Sequence, residues 1–277
     1  MKNLFFRVLT AVLLLPMVIV AFYRGGNTLL SLLGIASLIG CLEAAHVIAS
    51  DNRSKIMAVI FWAGLFLTNL ASDMGTAIAF ILPMLLAFNI STLFCPKLDN
   101  ARYEKLSTIF FWCFYICFSL SCFHWLLSSK ELGFDIAQSF IIVACVSTWS
   151  NDTFAYFGGR LFGKHFLFPR VSGKKTWEGF ISGSIFSVIT VVLIKLIPEH
   201  FGHQWLKISI ADILWISIPV IVLSPLGDLI ESRLKRLYDK KDSSQILPGH
   251  GGLLDRIDSL LLVIPWTALY AFIIRAL

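Results

Sequence analysis

The sequence predicts an all-α, polytopic membrane helix bundle with about nine transmembrane helices, and three observations predict it. Of the 277 residues, 57% are hydrophobic and 14% are charged, whereas a soluble domain carries about 25% charged residues. The apolar residues fall into runs long enough, at roughly 20 residues of helix, to cross a bilayer core of about 30 Å. Lys and Arg are divided unevenly between the two ends of those runs. Together these observations exclude a soluble globular enzyme and a disordered chain.

The spans follow in order. Leu4–Phe22 is a long apolar stretch with no small-x-small cleavage site behind it, so it reads as a retained helix rather than a signal peptide. Thr28–Ala49 is next. Ile56–Ala71 and Met74–Phe94 are separated by Ser72 and Asp73 alone, so this pair is either a hairpin or a broken helix. Ser107–Leu127, Ile136–Phe157, Gly179–Ile197, Ile210–Ile230 and Ile257–Ile274 complete the series. Counted this way, the N-terminus and the even-numbered connections share one side. That side holds 18 Lys and Arg against 4 on the other, which are Arg24, Lys130, Lys207 and Arg275. The basic side is predicted cytoplasmic, as in a bacterial inner membrane, and the C-terminus external.

Residues 1–130 thus form N-terminal spans, and 131–277 form a region with two long polar stretches, Gly158–Glu178 and Glu231–Asp258, both on the cytoplasmic side. The net charge of +6 reads as this topology signal and not as nucleic-acid binding, since no polar domain exists to carry a groove. The six cysteines, Cys41, Cys95, Cys113, Cys117, Cys122 and Cys145, lie in apolar runs with no CxxC pair and read as small buried hydrophobes.

Chemistry is expected on the two polar stretches and the helix ends beside them. Asp255 and Asp258 stand i, i+3, which places both carboxylates on one helical face. Upstream, Pro248-Gly249-His250-Gly251-Gly252 frees the backbone for close ligand approach ahead of a helix start that favours anions. Asp228 sits beside a Pro/Gly break, in Ser224-Pro225-Leu226-Gly227-Asp228. Three carboxylates, a glycine turn and several cations suggest a metal–phosphate site. The alternative is that Asp255 and Asp258 only complement a helix dipole, and that Lys235, Arg236, Lys240 and Lys241 only mark topology.

In the other stretch, Lys174 and Lys175 precede an apolar helix and suit phosphates as point charges. Gly158 to Lys164 nearly spells a P-loop, but His165 stands where Ser or Thr belongs and a membrane helix precedes it, so that reading fails. Asp152 lies inside a span, where an ionisable group costs roughly 2.5–3.5 kcal/mol, and so is a functional candidate or the partner of a nearby lysine or hydroxyl. Glu43 and His46 form a single ExxH, read as a polar contact between helices.

The run Ser232-x-Leu234-Lys235-Arg236-x4-Lys241-Asp242-x-Ser244-x2-Leu247-Pro248-x-His250-Gly251-Gly252-Leu253-x-Asp255-Arg256-Ile257-Asp258 resembles the signature of the phosphatidate cytidylyltransferase (CDP-diacylglycerol synthase) family. Similarity extends over Trp149–Arg160, Ser172–Phe180 and Gly227–Ser232, roughly the second half of the chain; Gly173 replaces the family's usual proline. The resemblance implies a helical membrane fold, often dimeric. It implies a reaction in which CTP and phosphatidic acid, with Mg2+, give CDP-diacylglycerol and pyrophosphate. It places Asp228, Asp255 and Asp258 where the family's metal carboxylates lie. On this reading Lys174, Lys175 and Arg256 hold phosphates, with Lys235, Arg236 and Lys241 among the substrate contacts. His250, Gly251 and Gly252 shape the turn, and Asp152 positions a lysine or a second cation. A CTP-using polyprenol kinase is the nearest rival, but its alcohol acceptor needs a general base. A transporter would carry its charges near mid-membrane, not at one face.

Overall fold

A computed structural model describes residues 2–66, 99–168, 172–249 and 251–276. Its helices are α1 (Lys2–Arg24), α2 (Gly26–Ile48), α3 (Asn52–Phe66), α4 (Asn100–Ser128), α5 (Phe134–Phe162), α6 (Trp177–His200), α7 (Ile210–Leu237), the short α8 (Leu254–Ile257) and α9 (Leu260–Ala276). Between α5 and α6 lie two strands, β1 (Phe166–Phe168) and β2 (Ser172–Thr176). The expected helical membrane bundle is the observed class. The expected span Met74–Phe94 lies outside the described residues. Two differences concern the polar stretches. Residues 158–178 are not one loop: α5 runs on to Phe162 and an antiparallel hairpin follows, pairing Phe166 with Thr176. Nor does α7 stop at the end of its apolar run; it continues through Glu231 and Lys235.

Helices α2, α4, α6 and α7 are each long and apolar enough to cross a membrane. The faces of α6 and α7 explain why a bilayer is required. Ile181, Ile185, Ile189, Leu193 and Ile197 form an exposed apolar stripe on α6, as do Trp215, Ile218, Val222, Leu226 and Ile230 on α7. Continuous apolar faces of this size are stable against lipid and not against water. The chain is therefore a multi-pass membrane protein.

The chain divides into two compact units, Met1–Trp125 with Leu237–Ile257, and Leu126–Arg236 with Asp258–Leu277. The signature segment 237–257 thus groups with the N-terminal spans rather than with the rest of 131–277. In the first unit, α3 starts on an Asp51 cap whose carboxylate accepts from Ser54 N (3.1 Å) and Ser54 Oγ (2.7 Å); the same hydroxyl bond holds Asp51 below the usual carboxylate range. Asp99 accepts from Arg102 N (2.8 Å) at the start of α4. Gly40 of α2 meets Ile116 of α4, and Cys41 lies 3.8 Å from Cys117, so these thiols do pack as small buried side chains.

In the second unit, α5 and α6 pack through small residues. A Cβ on Gly179 would meet Ala155 O at 2.6 Å, and one on Gly183 would meet Asn151 O at 2.7 Å. This backbone contact is how helices associate where the surrounding lipid is as apolar as leucine. Across the helices, Ser187 Oγ donates to Ser147 O (2.8 Å), and Ser147 and Ser217 share a hydroxyl bond (2.9 Å). Ser209 and Asp212 cap the start of α7 reciprocally: Ser209 N donates to Asp212 Oδ2 (2.8 Å) and Asp212 N to Ser209 Oγ (3.1 Å).

Candidate active site

One face of α7 supplies the framework. Ser224, Asp228, Glu231 and Lys235 recur at steps of three and four and so line one side of the helix. Gly227 beside them lets α7 pass hard against the turn that precedes α9; a Cβ there would meet Asp258 O at 2.5 Å and Ser259 Cα at 2.9 Å. That approach brings together one carboxylate oxygen from each of Asp228, Glu231 and Asp258, all within 4.8 Å of one another. Glu231 is 1% exposed and Asp258 9%.

Three carboxylates this close repel. At an effective dielectric of about 20, each pair of full charges costs roughly 3 kcal/mol. Part of that is offset by cations already present. Lys235 pairs with Glu231 one turn along α7. Lys175 Nζ lies 2.7 Å from Asp228 Oδ2 and donates also to Pro225 O (3.1 Å). Asp258 itself is pushed up to about 7, by burial first and by repulsion from the Asp228 carboxylate second. An all-carboxylate oxygen donor set fits a hard divalent cation such as Mg2+, and a cation there would relieve the same repulsion.

The helix–hairpin junction positions Lys175. Thr176 caps α6, accepting from Gly179 N (3.2 Å), so the residue before it leaves β2 beside the α6 N-terminus. Glu178 in the first turn then ties the hairpin base. Its carboxylate accepts from Lys164 N (3.1 Å) and His165 N (3.3 Å), and its Oε1 lies 2.6 Å from His165 Nδ1. The near-P-loop glycines 158 and 159 are in helix α5, which agrees with rejecting that motif. Asp152 on α5 accepts from Ser224 Oγ (3.2 Å), and Asp228 Oδ1 accepts from Ser232 Oγ (3.2 Å). Three elements, α5, β2 and α7, therefore converge on one polar group built of Asp152, Lys175, Ser224 and Asp228.

The signature segment is organised around a second acid. Asp255 Oδ2 accepts from Ser243 N (3.1 Å), Ser243 Oγ (2.9 Å) and Gly252 N (2.9 Å). The expected single helical face carrying Asp255 and Asp258 is interrupted: α8 ends at Ile257, and Asp258 sits in a turn where its Oδ1 accepts from Ser259 N (2.7 Å). Such a local bond competes with helix continuation. Gly249 and Gly251 do adopt left-handed φ of 77° and 86°, and Leu247 and Gly251 exchange backbone bonds of 2.9 and 3.2 Å around the turn. Arg236, Lys241 and Arg256 are exposed. The Lys174 side chain and His250 lie outside the description.

Two acids here escaped the sequence reading. Glu231 carries a faint signal, three residues after Asp228 and four before Lys235. Glu43, read only as an interhelical contact, in fact receives the signature segment.

Fold and site together define a polytopic membrane enzyme whose acids and lysines gather at helix ends, an arrangement suited to phosphate chemistry. The chain belongs to the cytidylyltransferase family, whose model matches residues 5–274. It is 33% identical over 264 residues to the phosphatidate cytidylyltransferase of Staphylococcus haemolyticus (strain JCSC1435), covering 94% of this chain and 95% of that protein. It is 42% identical over 145 residues to the enzyme of the same name from Bacillus subtilis (strain 168), and 41% identical over 136 residues to that of Haemophilus influenzae (strain ATCC 51907 / DSM 11121 / KW20 / Rd). Those two matches cover 52% and 48% of this chain, and 51% and 46% of the respective relatives.

Proposed function

We infer that the protein transfers the cytidylyl group of CTP to phosphatidic acid, forming CDP-diacylglycerol and releasing pyrophosphate in phospholipid synthesis. The observation that carries this reading is the Asp228–Glu231–Asp258 cluster with Lys175 at its edge, in a chain of the cytidylyltransferase family. The acceptor is a phosphate monoester, already anionic at neutral pH. One of its oxygens attacks the α-phosphorus of CTP, and the bond from that phosphorus to the bridging oxygen of pyrophosphate breaks. No strong general base is needed; alignment and charge neutralisation supply most of the catalysis.

Asp228, Glu231 and Asp258 would hold Mg2+, which when bound neutralises phosphate charge. Lys175, its ammonium beside that cluster, offsets charge on the departing pyrophosphate, with Lys174 next to it in sequence as a further phosphate contact. Lys235, paired with Glu231 one turn along α7, offsets the charge of that buried acid. Asp152 orients Ser224 beside Lys175. Asp255 holds the 243–252 turn and remains a candidate for a second cation. On this reading the site opens to the cytoplasm of a bacterial inner membrane, and the resemblance to a family often dimeric makes a homodimer the oligomer to test.

Purified protein in detergent, given radiolabelled CTP, phosphatidic acid and Mg2+, is expected to form a chloroform-soluble nucleotide that depends on both substrates. Transfer of label only from γ-labelled CTP would instead make it a kinase.

A further inference from the structure

A carboxylate on an apolar membrane helix is costly unless its oxygens are hydrogen-bonded. Glu43 of α2 is 1% exposed, and its donors all come from one remote segment. Oε1 accepts from Ser244 Oγ (2.5 Å) and Leu253 N (3.0 Å); Oε2 accepts from Leu254 N (2.7 Å), with Ser243 Oγ at 3.3 Å. The last hydroxyl has one proton and lies nearer Asp255 Oδ2, at 2.9 Å, so it joins the two acids. Both backbone donors belong to the residues that open α8, the helix carrying Asp255.

Gly252 gives the second observation. A Cβ there would meet both Glu43 oxygens, at 2.9 and 3.0 Å, as well as Ser243 Oγ. The close approach that this glycine permits is therefore made by the Ser243 hydroxyl first and by the Glu43 carboxylate behind it, the two groups that the anchor joins. Three donors, with the shared Ser243 hydroxyl beside them, satisfy a carboxylate well but an amide poorly, since an amide offers one acceptor oxygen and turns N–H groups toward the remaining donors.

We propose that Glu43 is a positioning residue for cytidylyl transfer: anchored in α2, it fixes the 243–254 turn and, through Ser243, the carboxylate of Asp255. It touches no reacting atom. This rests on the function inferred above, and the experiment separates the two. Glu43→Gln, Ser244→Ala and the double variant are purified in detergent and compared with wild type by steady-state kinetics and by hydrogen exchange read by mass spectrometry. Each single variant is expected to lower kcat by about tenfold or more. Peptides within 243–256 should exchange roughly tenfold faster with the rest of the chain unchanged. Because both residues act through one turn, the double variant should fall no further than the worse single.

Wild-type kcat in either single variant, losses that multiply, or faster exchange spread over the whole chain would each overturn the proposal. If Glu43→Gln does not fold, Ser244→Ala decides alone by the same two readouts. A wild-type protein that makes no lipid nucleotide refutes the inferred activity instead, and local exchange in the variants still tests the anchor.

Discussion

Asp258 carries the sharpest expectation at the scale of single residues. Asn keeps its shape and can still accept the Ser259 N–H, but it removes one charge from the cluster with Asp228 and Glu231. Were Asp258 only a complement to a helix dipole, the change would cost about 0.3–1 kcal/mol of stability and leave the rate nearly intact. As a cation ligand, its loss removes several kcal/mol of transition-state stabilisation, a fall in rate of at least roughly a hundredfold. Asp258→Asn is therefore expected to extract and chromatograph like wild type yet form almost no lipid nucleotide, even at raised magnesium. More than about a tenth of the wild-type rate would remove Asp258 from the ligand set.

Helix α7 is where local sequence and chemistry meet. It begins with a reciprocal Ser209–Asp212 cap, presents an apolar stripe outward, and carries the acids and Lys235 on its other side near the C-terminal end. Gly227 makes this face usable because it lets the 258–259 turn lie against the helix backbone. Gly227→Ala adds a Cβ that can be accommodated only by moving that turn, since both nearest atoms are backbone. Overpacking of this kind costs about 1–3 kcal/mol. The variant is expected to melt at lower temperature in detergent and to lose activity out of proportion to its residual folded fraction, because the displaced turn holds Asp258. A variant that melts early but keeps wild-type kcat per folded molecule would show that the close approach serves packing alone.

Across the whole molecule, the uneven placement of Lys and Arg predicts a cytoplasmic N-terminus and an external C-terminus. A C-terminal fusion to a reporter that works only in the cytoplasm should be inactive, and a fusion in the 158–178 segment should be active. An active C-terminal fusion would change either the span count or the orientation. The exposed stripes on α6 and α7 make the bilayer part of the fold, since burying them against lipid replaces the core that a soluble protein would build around them.

Much of the fold was legible because a bilayer imposes one rule on every span, roughly 20 apolar residues with their backbone bonds satisfied internally. The expected Thr28–Ala49 and Ile210–Ile230 differ from α2 and α7 mainly at their ends. α7 outruns its apolar window because backbone bonding continues where hydropathy stops. Asp228 and Asp258 were legible as charges at helix ends, and Lys175 as a cation ahead of a helix. Glu231 was not, because its proximity to Asp258 depends on how closely Gly227 lets two segments approach. Glu43 was least legible. Its hydroxyl and amide donors stand 200 to 211 positions along the chain, and periodicity records which face a residue occupies, not what that face will meet. Span, class and family could be read from local composition and motif. The partners of the buried acids could not, because they are set by packing between segments remote in sequence, where a single missing Cβ decides which atoms can touch.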